Sequence, residues 1–357
     1  MQKYEAPPAL IRCKQCLYPT VSKPTILFDA EGVCSGCRYH ESRQNMDWAK
    51  RWRRFEAICE EAKEWASRVG SPYSCVVGVS GGKDSHYQIY ILKQFCMTPL
   101  MVTYNHVWNN QIGIRNLRNL VERSGFNLLR FTSSPDAVKR MARYMLLQVG
   151  DVTWPYHAGC LTWPMKAAAL YSIPLVVWGE EGFAEMTGMF QLDDEVEYTR
   201  WKRTEHDMRG YEGMDLIGKG DPGYEIQPQD VEPYTYPDEA TVESLGLRGI
   251  YLSNYIPWDA DAQARQMHKE WGFEMATARQ RTFLTYSKLD DWANDIHDYL
   301  KYLKFGYGRA TDDASTEIRH GRMPREVGLE LAEVLDVVRP AEWAKLMSWL
   351  DLDTSTV

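Results

Sequence analysis

The chain has 357 residues, 44% of them hydrophobic and 12% aromatic, and a formal net charge of −8. That is enough apolar mass for one large domain with appendages or for two domains. No run approaches the roughly 18 apolar residues of a membrane span, and the acidic balance argues against the basic footprint of a nucleic-acid binder. The first residues, Met1-Gln2-Lys3-Tyr4-Glu5, hold no apolar signal segment. A reduced, cytoplasmic chain is therefore expected.

In chain order, the first signal is Cys13-x2-Cys16 followed, 17 residues on, by Cys34-x2-Cys37. That spacing reads as a four-thiolate metal site. Gly32 and Gly36 allow tight turns at the second pair, and residues 24–29 resemble one arm of a zinc ribbon. Structural Zn2+ is favoured over disulfides, while iron–sulfur ligation stays open because thiolates at this spacing suit it too. The module is assigned to residues 1–45. Trp48, Trp52, Phe55, Cys59, Ala62, Ala66 and Val69 then recur every three or four residues. They predict an amphipathic helix over 47–68, expected to pack the cysteine module against a sheet. Lys50-Arg51-Trp52-Arg53-Arg54 is followed by Glu56, Glu60, Glu61 and Glu64, the pattern of a solvated helix face rather than a nucleic-acid patch.

The apolar run from Cys75 to Val79 predicts a buried parallel strand. Ser80-Gly81-Gly82-Lys83-Asp84-Ser85 follows at once, and then a segment of helical spacing. Paired glycines let the backbone approach a ligand, the next helix presents free N–H groups to an anion, and Ser80, Ser85 and Lys83 add donors and charge. Asp84 is placed to hold Mg2+. The segment reads as a phosphate cradle, and it lacks the spacing of the Walker loop. Strands over 100–104, 128–131 and 174–178 alternate with helices over 112–123 and 135–147. That alternation implies a doubly wound parallel α/β sheet, with ligands beyond the carboxyl ends of the strands. Candidates there are Ser80 to Ser85, Asn105, His106, Ser133, Ser134, and the carboxylates Glu180 and Glu181, which are weighed against a solvated loop pair. Residues 157–166 read as a Gly/Pro-punctuated turn before a helix. Its Cys160 is either a reactive thiol or, the favoured reading, a packed one.

Beyond residue 183 the alternation weakens. Residues 193–238 read as a long insertion or lid rather than regular core, a further strand is expected within 249–258, and helices over 262–271, 286–305 and 325–338. The organisation is thus a cysteine module (1–45), a nucleotide domain (46–258) with an insertion at about 183–248, and a C-terminal helical region (259–357).

Ser80 to Ser85 resembles the PP-loop of the N-type ATP pyrophosphatases, whose fold is the adenine nucleotide alpha hydrolase-like type. With the Cys13/Cys16…Cys34/Cys37 module, Gly179-Glu180-Glu181-Gly182-x-Ala184-Glu185, Gly308-Arg309-Ala310-Thr311-Asp312 and Ile318-Arg319-x-Gly321-Arg322, nearly the full chain is similar to the N-acetyl sugar amidotransferases of bacterial surface-polysaccharide biosynthesis. The resemblance implies ATP held on Ser80, Gly81, Gly82, Lys83, Asp84 and Ser85 with Mg2+, and His106 beside the adenosine. Lys83, Asp84, Glu180 and Glu181 would act in catalysis, and Arg309 and Arg319 would clamp the nucleotide or a substrate phosphate, salt bridges being their alternative. The implied substrate is an N-acetylated sugar or sugar nucleotide whose acetamido group becomes acetamidino. Ammonia would come from a separate glutaminase, with or without a cyclase-like partner to channel it; no membrane or nucleic acid is expected to take part. A PP-loop thiolation enzyme and a non-catalytic ATP-binding regulator are the competing readings.

Overall fold

The computed structural model describes residues 10–22, 25–105, 107–190 and 192–356. Five parallel strands form one sheet in the order β3-β2-β1-β4-β5. They are β1 (Cys75–Gly78), β2 (Pro99–Asn105), β3 (Leu128–Thr132), β4 (Leu175–Trp178) and β5 (Arg248–Tyr251), the last overlapping the start of the 249–258 span expected to add a strand. Val76 of β1 pairs with Leu100 of β2 on one side and Val176 of β4 on the other, so β1 is central.

Side chains alternate across the strands, and both faces are covered. Val76, Leu100, Val102, Val176 and Tyr251 point into one core with α5 (Pro135–Val149) and α6 (Trp154–Leu170). Cys75, Val77, Met101, Val177 and Ile250 point into the other, with α2 (Trp48–Val69), α3 (Lys83–Gln94) and α4 (Gln111–Ser124). This is the doubly wound arrangement that the alternation of strands and helices implies. Among the described residues no helix is long and apolar enough to cross a membrane.

Three expectations about local structure need correction. Residues 157–166 are helix, not turn: they lie inside α6, where Pro155 occupies the first turn that tolerates proline and Pro164 sits in the interior. Residues 193–238 are irregular but are core rather than lid. Tyr198, Met208, Leu216, Ile226, Val231 and Tyr234 are buried against Trp154 and Trp178, and the short helices α8 (Arg200–Lys202) and α9 (Pro228–Val231) lie among them, with α10 (Glu239–Leu245) leading into β5. The helix expected over 286–305 starts only at Asn294, because Asp291 Oδ1 accepts the Ala293 and Asn294 N–H groups at 2.6 and 2.7 Å and fixes the start of α12 (Asn294–Phe305).

The C-terminal region adds α11 (Ala260–Trp271), α13 (Arg309–Arg319), α14 (Arg325–Leu335) and α15 (Trp343–Trp349). Leu300, Trp343 and Leu346 pack on Val138 and Leu146, docking α12 and α15 onto α5. Helix α13 has a start built from a distance: Asp336 accepts N–H bonds from Gly308 (2.8 Å) and Ala310 (2.9 Å) and a hydroxyl bond from Thr311 (2.7 Å). The cysteine module is not seated through α2 as expected. Its α1 (Ser35–Arg43) packs on α7 (Gly182–Thr187), and Arg325 of α14 donates to the Cys16 and Cys13 carbonyls. Leu17 meanwhile packs on Ala314 and Ala332.

Candidate nucleotide site and metal centre

The turn after β1 is held open by its own polar groups. Gly81 sits at φ +91°, and a Cβ there would lie 2.7 Å from the Leu117 backbone nitrogen, so only glycine fits. The Ser80 N–H donates to Ser85 Oγ at 2.9 Å and the Gly82 N–H to Ser80 Oγ at 3.3 Å. Gly82 is the N-cap of α3 and has no side chain to cap the first-turn N–H groups, which leaves them for an anion.

Lys83 Nζ holds both Asp84 carboxylate oxygens, at 2.8 and 2.7 Å. Burial would lower the Lys83 pKa, but Asp84 and Glu180 outweigh it and hold the ammonium above its ordinary range. Glu180 follows β4 and is half-buried. Burial, reinforced by the Asp84 charge, pushes it up to about 7, against the pull of Lys83 and Arg43. Ser80, Lys83, Asp84, Ser85 and Glu180 thus come together at the carboxyl edge of the sheet.

The remaining candidates separate. Glu181 is spent on structure: Oε2 accepts the Ala184 N–H at 2.6 Å, capping α7, and Oε1 meets Lys202 Nζ at 2.9 Å in a buried pair. Arg309 pairs with Asp298 at 3.2 Å and with Asp312 at 3.7 Å, the salt-bridge alternative to a clamp. Arg319 lies against the cysteine cluster instead. Ser133 receives the Tyr104 hydroxyl at 2.9 Å. His106 lies outside the described residues.

A cavity of about 190 Å3 opens beside Ser80, lined by Thr103, Asn105, Asn109, Arg130 and Asp290. A larger cleft of about 920 Å3 lies between α1, the start of α2 and Gly188, Phe190, Asp193 and Glu195. Its Arg51 and Arg54 are already paired with Glu195. The 80–85 loop, rather than the larger volume, is the candidate site, because it combines uncapped N–H groups at the start of α3 with Lys83, Asp84 and a cavity beside Ser80.

Sequence reasoning missed the wall that faces this loop. Helix α6 runs antiparallel to the strands, so its first turns lie at their carboxyl edge. There Tyr156 donates to Asp290 at 2.8 Å. Thr153 Oγ1 donates to Asp151 at 2.9 Å and lies 2.6 Å from His297 Nδ1, and the His157 and His297 rings meet edge to face at 5.2 Å. Burial, with His297 adding to it, lowers His157 to about 3. Lys288, at φ +45°, reaches Asp298 at 3.2 Å beside Arg309. Burial drives the Cys160 thiol pKa well up, and the Asp290 charge adds to it. The available signal was topological: a helix entering β4 has to begin at the ligand edge.

At the other motif, the ligand atoms of Cys13, Cys16, Cys34 and Cys37 lie within 4.8 Å of one another, all buried. The Cys13–Cys37, Cys16–Cys34 and Cys34–Cys37 sulfur separations are 3.9, 3.6 and 3.6 Å. These are not bonding distances, which removes the disulfide reading. They fit the edge of about 3.8 Å expected of a tetrahedron with metal–sulfur bonds of about 2.3 Å, and they are too short for thiolates spread over two irons. Backbone N–H groups of Gln15, Tyr18 and Cys34 point at sulfur at 3.4, 3.5 and 3.2 Å, the support a thiolate needs. The donor set suits one Zn2+.

The fold and these two sites define an α/β protein with a phosphate-type glycine loop and a buried tetracysteine centre. The family described as LPS biosynthesis protein WbpG-like, C-terminal domain, matches residues 280–356. That span carries Lys288, Asp290, His297 and Arg309 of the crevice wall. An uncharacterised protein, MJ1599, of Methanocaldococcus jannaschii is 24% identical over 40% of this chain and 54% of its own length, so the chain spans about half of that curated relative. Among solved structures, NMN synthetase from Francisella tularensis is similar with a TM-score of 0.31 and 12% identity, over 74% of this chain and 92% of that one.

Proposed function

We propose that the protein is an ATP-dependent, AMP-forming amidotransferase of surface-polysaccharide biosynthesis that converts the acetamido group of an N-acetylated sugar to an acetamidino group. The carrying observation is the pairing of the uncapped loop around Gly82, with its recessed Lys83–Asp84–Glu180 group, with a facing wall of WbpG-like sequence. In this reading the acetamide oxygen attacks the α-phosphorus of ATP and pyrophosphate leaves. Ammonia then adds to the activated carbon, one proton passes to a base, and AMP departs to leave the amidinium product. Ser80, Ser85 and the N–H groups of α3 hold phosphate oxygens, and Lys83 neutralises charge as pyrophosphate separates. Asp84 supplies the carboxylate for Mg2+, which screens the phosphates when bound. Glu180, with its pKa near 7, is matched to taking the proton from the adding nitrogen. Ammonia is supplied by a separate glutaminase.

The test is AMP and pyrophosphate release by the purified full chain with ATP, Mg2+ and ammonium. UDP-linked diacetamido-uronic acids, acylated nonulosonic acids and bulk tRNA would be offered in turn. Sugar-dependent AMP formation, with the product mass changed by exchange of O for NH, is expected. AMP formation dependent on tRNA alone, or none with any acetamido sugar, overturns the reading.

A further inference from the structure

Arg319, the last residue of α13, is 8% exposed. Among the described residues no aspartate or glutamate lies within ion-pair distance of it. Its Nη1 donates to the Glu185 and Met186 carbonyls at 3.0 and 2.9 Å, and its Nη2 points at Cys16 Sγ (3.6 Å) and Cys34 Sγ (3.5 Å). The Tyr18 ring covers the guanidinium at 5.4 Å. A guanidinium does not lose its proton in proteins, and a buried cation without an anion is strongly destabilising.

The anion therefore has to come from the sulfurs. Four neutral thiols carry no charge. Four thiolates around one divalent ion carry a net charge of −2, delocalised over the sulfur atoms that Arg319 faces.

The same side chain ties the cysteine cluster to α7. Glu185 and Met186 belong to α7, which begins directly after Glu180 and Glu181. Other ties between the module and α7 run alongside: Ser35 Oγ donates to the Thr187 carbonyl at 2.5 Å, Arg43 pairs with Glu185, and the turn at Gly188 (φ +65°) closes on the Ser35 carbonyl. Arg43 in turn contributes to the field at Glu180.

We propose that Arg319 is the counter-ion of a dianionic metal–tetrathiolate centre, and that through it the bound metal holds α7, and with it Glu180, in position beside the 80–85 loop. Arg319 is thus a positioning residue. The metal is part of the crevice architecture without touching substrate. The inference stands on the packing of α7 and holds whichever reaction the crevice performs.

The test uses the full zinc-loaded chain, with metal affinity from chelator competition and amide hydrogen exchange read over residues 182–188 and, as a control, over β1 and β2. Arg319→Gln should weaken zinc by roughly 10–100-fold and speed exchange at 182–188 while the strands stay protected. Arg319→Lys keeps the charge but not the four-point fork, so it should restore much of the metal affinity and leave α7 fast-exchanging. Should Arg319→Gln fail to fold, stripping zinc from the unmodified chain decides the matter, because α7 has to loosen before the strands do. Unchanged affinity and exchange in Arg319→Gln, or a stripped chain whose 182–188 exchange equals that of the loaded one, overturns the proposal.

Discussion

The 80–85 loop and the tetracysteine centre are both short polar motifs buried in one chain, yet they treat charge in opposite ways. At the cysteine centre everything closes inward: four sulfurs converge, backbone N–H groups back them, and Arg319 faces them with no carboxylate at ion-pair distance among the described residues. At the loop the balance is left incomplete. Gly82 has no side chain to cap the helix, Lys83 pairs with Asp84, and Glu180 is pushed up to about 7. A scaffold removes conflict between its charges, and a reacting site keeps conflict in reserve for a ligand to resolve.

The largest expected effect breaks this contrast on the loop side. Asp84→Ala should lower AMP formation by roughly 10^2–10^3-fold and leave thermal unfolding within a few degrees of the unmodified chain, since a half-exposed loop carboxylate adds little to the core. Near-normal turnover in Asp84→Ala ends the proposed mechanism. The converse holds at the cysteines. Cys34→Ser should cost about 4 kcal/mol or more of stability and the bound metal, read by urea unfolding and elemental analysis. A Cys34→Ser chain of unchanged stability would show that the cluster is not the scaffold described above.

Glu180 sharpens the comparison through pH. Its carboxyl is neutral below about 7 and becomes a proton acceptor above it, so kcat/KM at fixed free ammonia should rise through pH 7. Glu180→Gln should remove that limb and lower the rate roughly 10^2-fold. A limb that survives in Glu180→Gln assigns the base elsewhere.

A smaller effect concerns the far wall. His157 titrates at about 3 in the fold, against an ordinary value of 6.5, because burial disfavours the imidazolium. Between those limits the unfolded chain binds more protons than the folded one, so stability falls as pH drops through this window. The slope is at most about 1.4 kcal/mol per pH unit for this residue. Urea unfolding at pH 7, 5.5 and 4.5 should show a shallower decline in His157→Gln than in the unmodified chain. Equal slopes would mean that His157 is not held neutral.

What the sequence made legible follows the range of the forces involved. The strands around Val77, Val102 and Val177 and the loop at Gly81 and Gly82 are local, written in apolar runs and a motif that a strand and a helix enclose. The sulfurs of Cys13 to Cys37 are equally local. Helix α13 is another matter, because its cap is Asp336, on the far side of α14. Residues 193–238 look like a lid because their aromatic residues are dispersed and aperiodic, and only the sheet face they cover makes them core. Arg309 and Arg319 look alike in sequence, as the first and last residues of one short polar segment. Tertiary contacts alone give one to Asp298 and the other to the thiolates.

The smallest expected effect separates nitrogen from sulfur transfer. Cys160 lies in the crevice wall one turn after Tyr156, where a persulfide carrier could in principle sit. Its surroundings oppose that role. Burial and the neighbouring Asp290 and Asp291 charges all raise the thiol pKa, and only a bond from Tyr156 works against them. Thiolate chemistry needs the reverse, a cation or helix N-terminus that lowers it. Ammonia is its own nucleophile, so amidation requires no protein thiol. Cys160→Ser should therefore keep most of the ammonium-dependent AMP formation and lose about 1 kcal/mol of stability from altered packing. A correctly folded Cys160→Ser chain without turnover, together with radiolabelled sulfur entering product in the unmodified one, would exchange the amidotransferase for a thiolation enzyme on the same loop.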